Sequence, residues 1–325
     1  MKHITIVVPE GNAVLACITG AFNILNTANS YWQKIGNKPR VEICIAGFMK
    51  ELKLDSGFLS IFPADIEKVK KTDLIILPAA PYTDHLFKDN TDLISWMTAQ
   101  YKNGAEIASM CSGAFLLASS GLLEGKTCST HWEVAENFRM MFPDVHLQTD
   151  QLITDENGIY TNGGAYSFLN LMIYLVEKYF DRQTAIYCSK SFQIEMDRNS
   201  QSEFAIFTGQ KRHGDEMVKK AQAYIESNLD EKISIEYLSS KFAVGRRNFD
   251  RRFIKATGNT PIEYAQRVKI ESAKKAFEST RKTINEVMYE VGYSDVKAFR
   301  EVFRKITGMS PLEYKGKYNK EAVVK

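Results

Sequence analysis

Residues 104–132 read GAEIASMCSGAFLLASSGLLEGKTCSTHW, and they contain the chain's best candidate for covalent chemistry. A β-rich run ends at Met110, Cys111 stands at the turn, and a helical pattern opens at Gly113. A strand–nucleophile–helix turn exposes its side chain at the carboxyl edge of a parallel sheet. The helix N-terminus that follows is expected to favour thiolate over thiol. His131, twenty residues further on, is placed to act as its base if the chain returns to the same edge. Cysteine and histidine at this separation also suit a ligand pocket, and a buried cysteine with no chemical role fits equally. Trp132 could offer an aromatic face to a cationic ligand or simply fill the core. Ser112 adjoins Cys111 in the same turn.

A second chemistry is written near the C-terminus, and it is written twice. Thr257–Tyr264, TGNTPIEY, returns fifty residues later as Thr307–Tyr314, TGMSPLEY, and Phe249 and Phe253 return as Phe299 and Phe303. Leu238 corresponds to Val287 at an offset of forty-nine, which implies one inserted residue in the second turn. In each copy a short helix (Ile235–Lys241 or Ile284–Glu290) leads through a turn with Gly245 or Gly292 into a second helix. The phenylalanines of that helix share one face at i and i+4. Gly258 and Gly308 act as stops, and Pro261 and Pro311 as new starts. The opposite face carries Arg246, Arg247, Asp250 and Arg251 in one copy and Val296, Lys297 and Arg300 in the other, with Glu301 beside them. Helices of this pattern enter the major groove, where Arg, Lys and amide side chains bond base edges and phosphates. Arg246, Arg247, Asn248 and Arg251, with Val296, Lys297 and Arg300, are therefore the expected DNA-binding residues.

These sites require two kinds of scaffold. Strands are expected at His3–Val8, Val41–Ala46, Leu74–Leu77, Glu106–Met110 and Ile159–Thr161. Helices are expected at Ala13–Ala28, Asp92–Tyr101, Gly113–Ser120 and Tyr166–Tyr179. Such alternation indicates a parallel sheet covered on both faces. The polar stretch Asp197–Gly214 marks a boundary, and the chain beyond it reads as all helix. The expected domains are 1–195 (α/β), 196–213 (linker) and 214–325 (all-α).

Charge follows the same division. From Lys211 onward there are 25 Lys and Arg against 16 Asp and Glu, and before it 17 against 23. That asymmetry suits a chain in which one domain meets a polyanion. No apolar run approaches the ~20 residues that span a bilayer, and Ile4–Val8 is too short for a signal segment, so a cytoplasmic location with no membrane partner is expected. Five cysteines, none spaced as CxxC, argue for a reducing compartment without disulfides or a metal site.

Residues ~215–318 resemble the DNA-binding domain of AraC/XylS regulators through GRRNFDRRFIKATGNTPIEY and INEVMYEVGYSDVKAFREVFRKITGMSPLEY. The resemblance implies two helix-turn-helix subdomains joined by a long helix, about Pro261–Phe277, each presenting a recognition helix. Glu301 departs from the basic residue frequent there. Residues 3–180 resemble the PfpI-like branch of the class I glutamine amidotransferase superfamily through CSGAFLLASSGLLEGKTCSTHW, in the form fused to AraC-type tails in GlxA-like regulators. This implies a flavodoxin-like sandwich, a homodimer, and a pocket around Cys111 and His131, with Asn12, Ala80, Tyr82, Ser112 and Trp132 completing the expected ligand-binding set. Leu77-Pro78-Ala79-Ala80 matches the loop that donates a backbone N–H to the pocket, and Asn162-Gly163-Gly164 matches another pocket-edge loop. Where active members place a Glu beside the cysteine, this chain has Ala16, so the thiol lacks a carboxylate to share a proton.

The resulting expectation is a transcription regulator that binds promoter DNA, senses a small nitrogenous metabolite, contacts RNA polymerase and needs no cofactor. Cys111 and His131 are read as pocket groups with no catalytic role. The alternatives are a cysteine-dependent amidase or hydrolase carrying a DNA-binding tail, and a scaffold whose α/β domain only dimerises.

Overall fold

The computed structural model describes residues 1–54, 57–83, 85–231 and 233–319. Two units arise from the distribution of contacts, Met1–Gln201 and a second beginning at Ser202.

In the first unit the strands are β1 (Lys2–Val7), β2 (Val41–Gly47), β3 (Leu52–Leu54), β4 (Leu59–Ile61), β5 (Ala64–Asp65), β6 (Leu74–Leu77), β7 (Glu106–Met110), β8 (Thr127–Cys128), β9 (His146–Leu147), β10 (Ile153–Glu156) and β11 (Ile159–Asn162). Its helices are α1 (Leu15–Lys34), α2 (Leu86–Asp89), α3 (Thr91–Lys102), α4 (Ala114–Ser119), α5 (Ala135–Met141), α6 (Phe168–Tyr179) and α7 (Arg182–Phe192). Seven strands form one sheet in the order β10-β11-β7-β6-β1-β2-β5, parallel except for the β10–β11 pair. Alternate side chains enter opposite cores, as a period of two requires. Ile4, Ile6, Leu74, Ile76, Ala108 and Met110 pack beneath α1, α6 and α7. Val7, Ile75, Leu77 and Ile107 face the other way, towards α3, α4 and Phe138 of α5. Burial on both faces explains why these strands read as continuous apolar runs.

The second unit holds α8 (Glu216–Ser227), α9 (Ile235–Lys241), α10 (Arg246–Thr257), α11 (Pro261–Ser279), α12 (Ile284–Glu290), α13 (Val296–Thr307) and α14 (Pro311–Tyr318). The repeated string is a helix-exit and helix-entry device. Thr257 and Thr307 each donate to the carbonyl four residues back and accept the N–H two residues on. Gly258 and Gly308 cap α10 and α13 in the left-handed conformation. Thr260 with Glu263, and Ser310 with Glu313, then form capping boxes with Pro at the first helical position. Tyr264 and Tyr314 end the motif inside two separate cores. One core gathers Leu238, Phe249 and Phe253, the other Val287, Phe299 and Phe303, and α11 contributes to both.

The two turns differ from the sequence reading. Gly245 is the N-cap of α10 with φ −59°, and the residue equivalent to Gly292 (φ 71°) is Ala243, with φ 52°. The extra residue of the second turn leads into an Asp295 cap, whose carboxylate accepts the Ala298 N–H at 2.6 Å. Residues 196–213 are divided between the units at Gln201 and Ser202. Among the described residues no helix is long and apolar enough to cross a membrane.

Candidate functional site

Cys111 follows the last residue of β7 and takes φ 53°, a conformation rare for a residue with a Cβ. Both of its peptide groups are held. Its N–H donates to Asn162 Oδ1 at 3.2 Å, and its carbonyl accepts from Thr130 Oγ1 at 2.8 Å. Asn162 is itself fixed through Ser167 Oγ, to which its Nδ2 donates at 2.8 Å. Ser112 donates to the Ala80 carbonyl at 2.7 Å, which ties the turn to the loop after β6.

The expected thiolate does not form. Burial pushes the Cys111 thiol above its ordinary value, and hydrogen bonds from Ala165 and Ser112 only partly oppose this. The short helix α4 cannot offset desolvation of a side chain left 9% exposed. Burial likewise pushes His131 down, with Glu133 opposing, so at neutral pH the pair is an uncharged thiol and an uncharged imidazole. His131 Nδ1 accepts the Glu133 N–H at 3.1 Å and its ring lies 5.2 Å from that of Trp132, at a tilt.

Cys111 and His131 border one loop. The Ala165 backbone bonds the thiol, and Gly164 carries the imidazole, since a Cβ there would stand 2.9 Å from His131 Cδ2. Gly163 makes room for Gln201, whose carboxamide an added Cβ would overlap. The Asn-Gly-Gly sequence is thus explained by what packs on it.

Position 16, where the resemblance would place a carboxylate, is a half-buried alanine. The next residue faces the site instead: the Cys17 thiol accepts the Ala79 N–H and lies close enough to Cys111 that a charge on one raises the other. One N–H of the Leu77–Ala80 loop, that of Ala79, is therefore directed at Cys17, whose thiol is pushed up to about 12 by burial. Sequence reasoning missed Cys17, Thr130 and Gln201. Cys17, next to Ala16, and Thr130, next to His131, adjoin residues that the sequence singles out; Gln201 adjoins none.

Other members of the expected set are more dispersed. Asn12 is exposed. Tyr82 packs on Phe87 and Phe115, with centroids 6.2 and 5.3 Å away. A cleft of about 530 Å³ lined by Met1, Lys2, Trp32 and Arg40 lies at the amino ends of the strands, away from Cys111. Among the described residues no cluster of His, Cys, Asp or Glu is set to hold a metal ion.

In the second unit Arg246, Arg247, Asn248 and Arg251 are exposed on α10, while Phe249 and Phe253 are fully buried. Arg246 pairs with Glu236 at 2.6 Å, and Arg251 donates to Asn248 Oδ1 at 3.1 Å. Asp250 is half-buried, so it does not share their outward face. On α13 Lys297, Arg300, Glu301 and Arg304 are exposed. Val296 is not an outward residue: it packs partly against the second core at the first helical position. Arg252 resembles its neighbours in sequence but is committed internally, with two bonds to Asp215 at 2.7 and 2.6 Å.

Family comparison agrees with this division. Residues 33–178 match the DJ-1/PfpI family, and residues 238–317 match a helix-turn-helix domain of the AraC type. The chain is 27% identical over 226 residues to the HTH-type transcriptional regulator GbdR of Pseudomonas aeruginosa, covering 68% of this chain and 60% of that protein's length. It is 24% identical over 269 residues to the HTH-type transcriptional regulator GlxA of Rhizobium meliloti, covering 79% of each. Drosophila melanogaster DJ-1beta shares the fold of the first unit, with a TM-score of 0.50 at 16% identity over 60% of this chain and 98% of that one. The first unit is accordingly a flavodoxin-like α/β sandwich, and the second an all-helical helix-turn-helix region.

Proposed function

We propose that this chain, a DJ-1/PfpI domain followed by an AraC-type helix-turn-helix domain, is a sequence-specific DNA-binding transcription regulator. The observation that carries this reading is the pair of amphipathic helices α10 and α13. Each buries two phenylalanines and turns Arg, Lys or Asn outward, in the geometry that places a helix in the major groove. Arg247, Asn248 and Arg251 are assigned to base contacts from α10, and Lys297 and Arg300 to base or phosphate contacts from α13. Arg246, held by Glu236, is assigned to the groove edge.

The first unit is read as a sensor of a small nitrogenous metabolite in a cytoplasmic homodimer, with ligand shifting the DNA-bound population and so RNA polymerase recruitment. An enzyme reading is disfavoured by the site itself. The thiol is protonated, no carboxylate stands at position 16, and Cys17 occupies the space beside Cys111. The two similar regulators support the same side.

Selection of genomic fragments by the full-length protein at two salt concentrations tests the proposal. Enrichment of a few sites whose half-sites lie about one helical turn apart is expected. Weak, uniform binding that collapses with salt would reduce the activity to phosphate attraction and sink the regulator reading.

A further inference from the structure

Gln201 ends the first unit and is only 1% exposed. Its carboxamide is engaged at both ends: Nε2 donates to the Thr130 carbonyl at 2.8 Å, and Oε1 accepts the Gly164 N–H at 2.9 Å. Its own N–H donates to the Asp150 carbonyl at 3.2 Å, and the preceding Ser200 bridges Gln151. The groups it grips belong to the candidate site. Thr130 also holds the Cys111 carbonyl, and Gly164 carries the His131 ring.

One residue later the second unit begins, and the chain does not leave as a free linker. It is laid along the helices as a strap. Glu203 pairs with Lys317 of α14 at 2.5 Å. The Ala205 carbonyl accepts from Lys274 at 2.6 Å, and the Phe207 N–H donates to Glu271 at 3.1 Å. Lys274 and Glu271 are buried on α11 and bonded to each other at 2.7 Å. The Phe207 ring meets Tyr264 edge-on at 5.3 Å, and Lys211 pairs with Glu226 of α8 at 2.6 Å. Ten residues thus touch both helix-turn-helix halves and the helix that joins them.

We propose that Gln201 is a positioning residue that couples occupancy of the Cys111–His131 site to this strap. The physical argument is one of exclusion. The Gly164 N–H and the Thr130 carbonyl are already satisfied by a buried side chain, and a buried polar group left without a partner is costly. An occupant that takes the Gly164 N–H must displace the carboxamide from it, and the strap then loses its side-chain hold on the site. Because the strap contacts both halves, its release alters how they are held. The inference rests on the sensor reading of the first unit.

Hydrogen–deuterium exchange of the full-length protein, without DNA or effector, tests it in two variants. Gln201→Ala removes the side chain, and Gln201→Met keeps its bulk but abolishes both hydrogen bonds. Exchange over residues 202–211 is expected to rise by about tenfold in both, with β1 and β6 unchanged. Faster exchange confined to 162–167 and 196–201, with 202–211 unaltered, would overturn the coupling. So would equal acceleration throughout the first sheet, because Gln201 would then hold the fold and not the strap. Neither result depends on DNA binding, so failure here is distinct from failure of the regulator reading.

Discussion

At Cys111 the backbone and the thiol are set for opposite ends. A φ of 53° costs an L residue roughly 1–2 kcal/mol, and the bonds from Asn162 and Thr130 are what keep it in place. That is the backbone of a presented nucleophile, yet the side chain it presents is buried and protonated. In the full-length protein, alkylation of Cys111 by iodoacetamide, followed by peptide mass spectrometry, should keep accelerating beyond about pH 9.5, where an ordinary thiol, half ionised at about 8.5, has levelled off. Cys17 and Cys128, the first pushed up to about 12 by burial and the second likewise, should react more slowly still. A plateau for Cys111 at or below pH 7 would reveal a stabilised thiolate and return the hydrolase reading to the front. The same residues show how far a sequence reaches at this scale. The turn at Cys111 was legible because a passage from strand to helix has its own signature. Cys17 was not, because its relevance depends on α1 starting at Leu15, which aims position 17 and not 16 at the site.

Elements are where the two helix-turn-helix copies diverge. Ala243 holds the left-handed position that Gly292 fills in the second copy, and it is exposed, so its methyl group has little packing to lose. Replacing it with glycine relieves about 1–2 kcal/mol of strain. Against that stands roughly 0.5–1 kcal/mol of extra chain entropy in the unfolded state. Ala243→Gly should therefore raise stability by up to about 1 kcal/mol, seen as a higher urea midpoint at unchanged slope; a lower midpoint would show that the turn is not strained. Asp215 offers a test by pH. It caps α8 and takes two bonds from Arg252, whose guanidinium holds the carboxyl below the usual carboxylate range. A carboxyl depressed in the folded state adds stability above its unfolded value, about 3.9, and loses it as pH falls through the lower folded one. Wild type should thus lose up to roughly 1 kcal/mol more than Asp215→Asn on acidification from about pH 5, given the partial exposure of the pair. Parallel curves would deny the ion pair any role. Most long elements were legible, since apolar β-branched runs and the fifty-residue repeat are periodic signals. The β3–β4 hairpin and strands of two residues are too short to show a period. Residues 202–211 read as a linker because polar composition marks loops whether or not a helix lies beneath them.

Over the whole molecule, several basic residues from Lys211 onward are committed to internal pairs. Arg252, Lys274, Lys211, Lys282 and Lys317 each meet a carboxylate within 4 Å. The outward residues of α10 and α13 are therefore the groups best placed to meet DNA, while the acidic first unit discourages indiscriminate contact with polyanions. If α10 reads bases and α13 mainly holds the backbone, two substitutions in the full-length protein should separate the roles. Arg251→Ala should weaken binding to the selected site by ~1–3 kcal/mol and relax its sequence preference, while nonspecific affinity changes little. Lys297→Ala should weaken selected and unrelated duplexes alike, and lower the slope of log K against log salt by about 1, the signature of one lost phosphate contact. Glu301, exposed beside Lys297 and Arg300, repels phosphate and so limits how firmly α13 holds the backbone. Arg252→Ala is the control: it removes an internal bond, so it should lower the unfolding midpoint with the preference intact. Should Arg251→Ala leave both affinity and preference unchanged while Lys297→Ala relaxes the preference, the assignment of the helices would have to be exchanged.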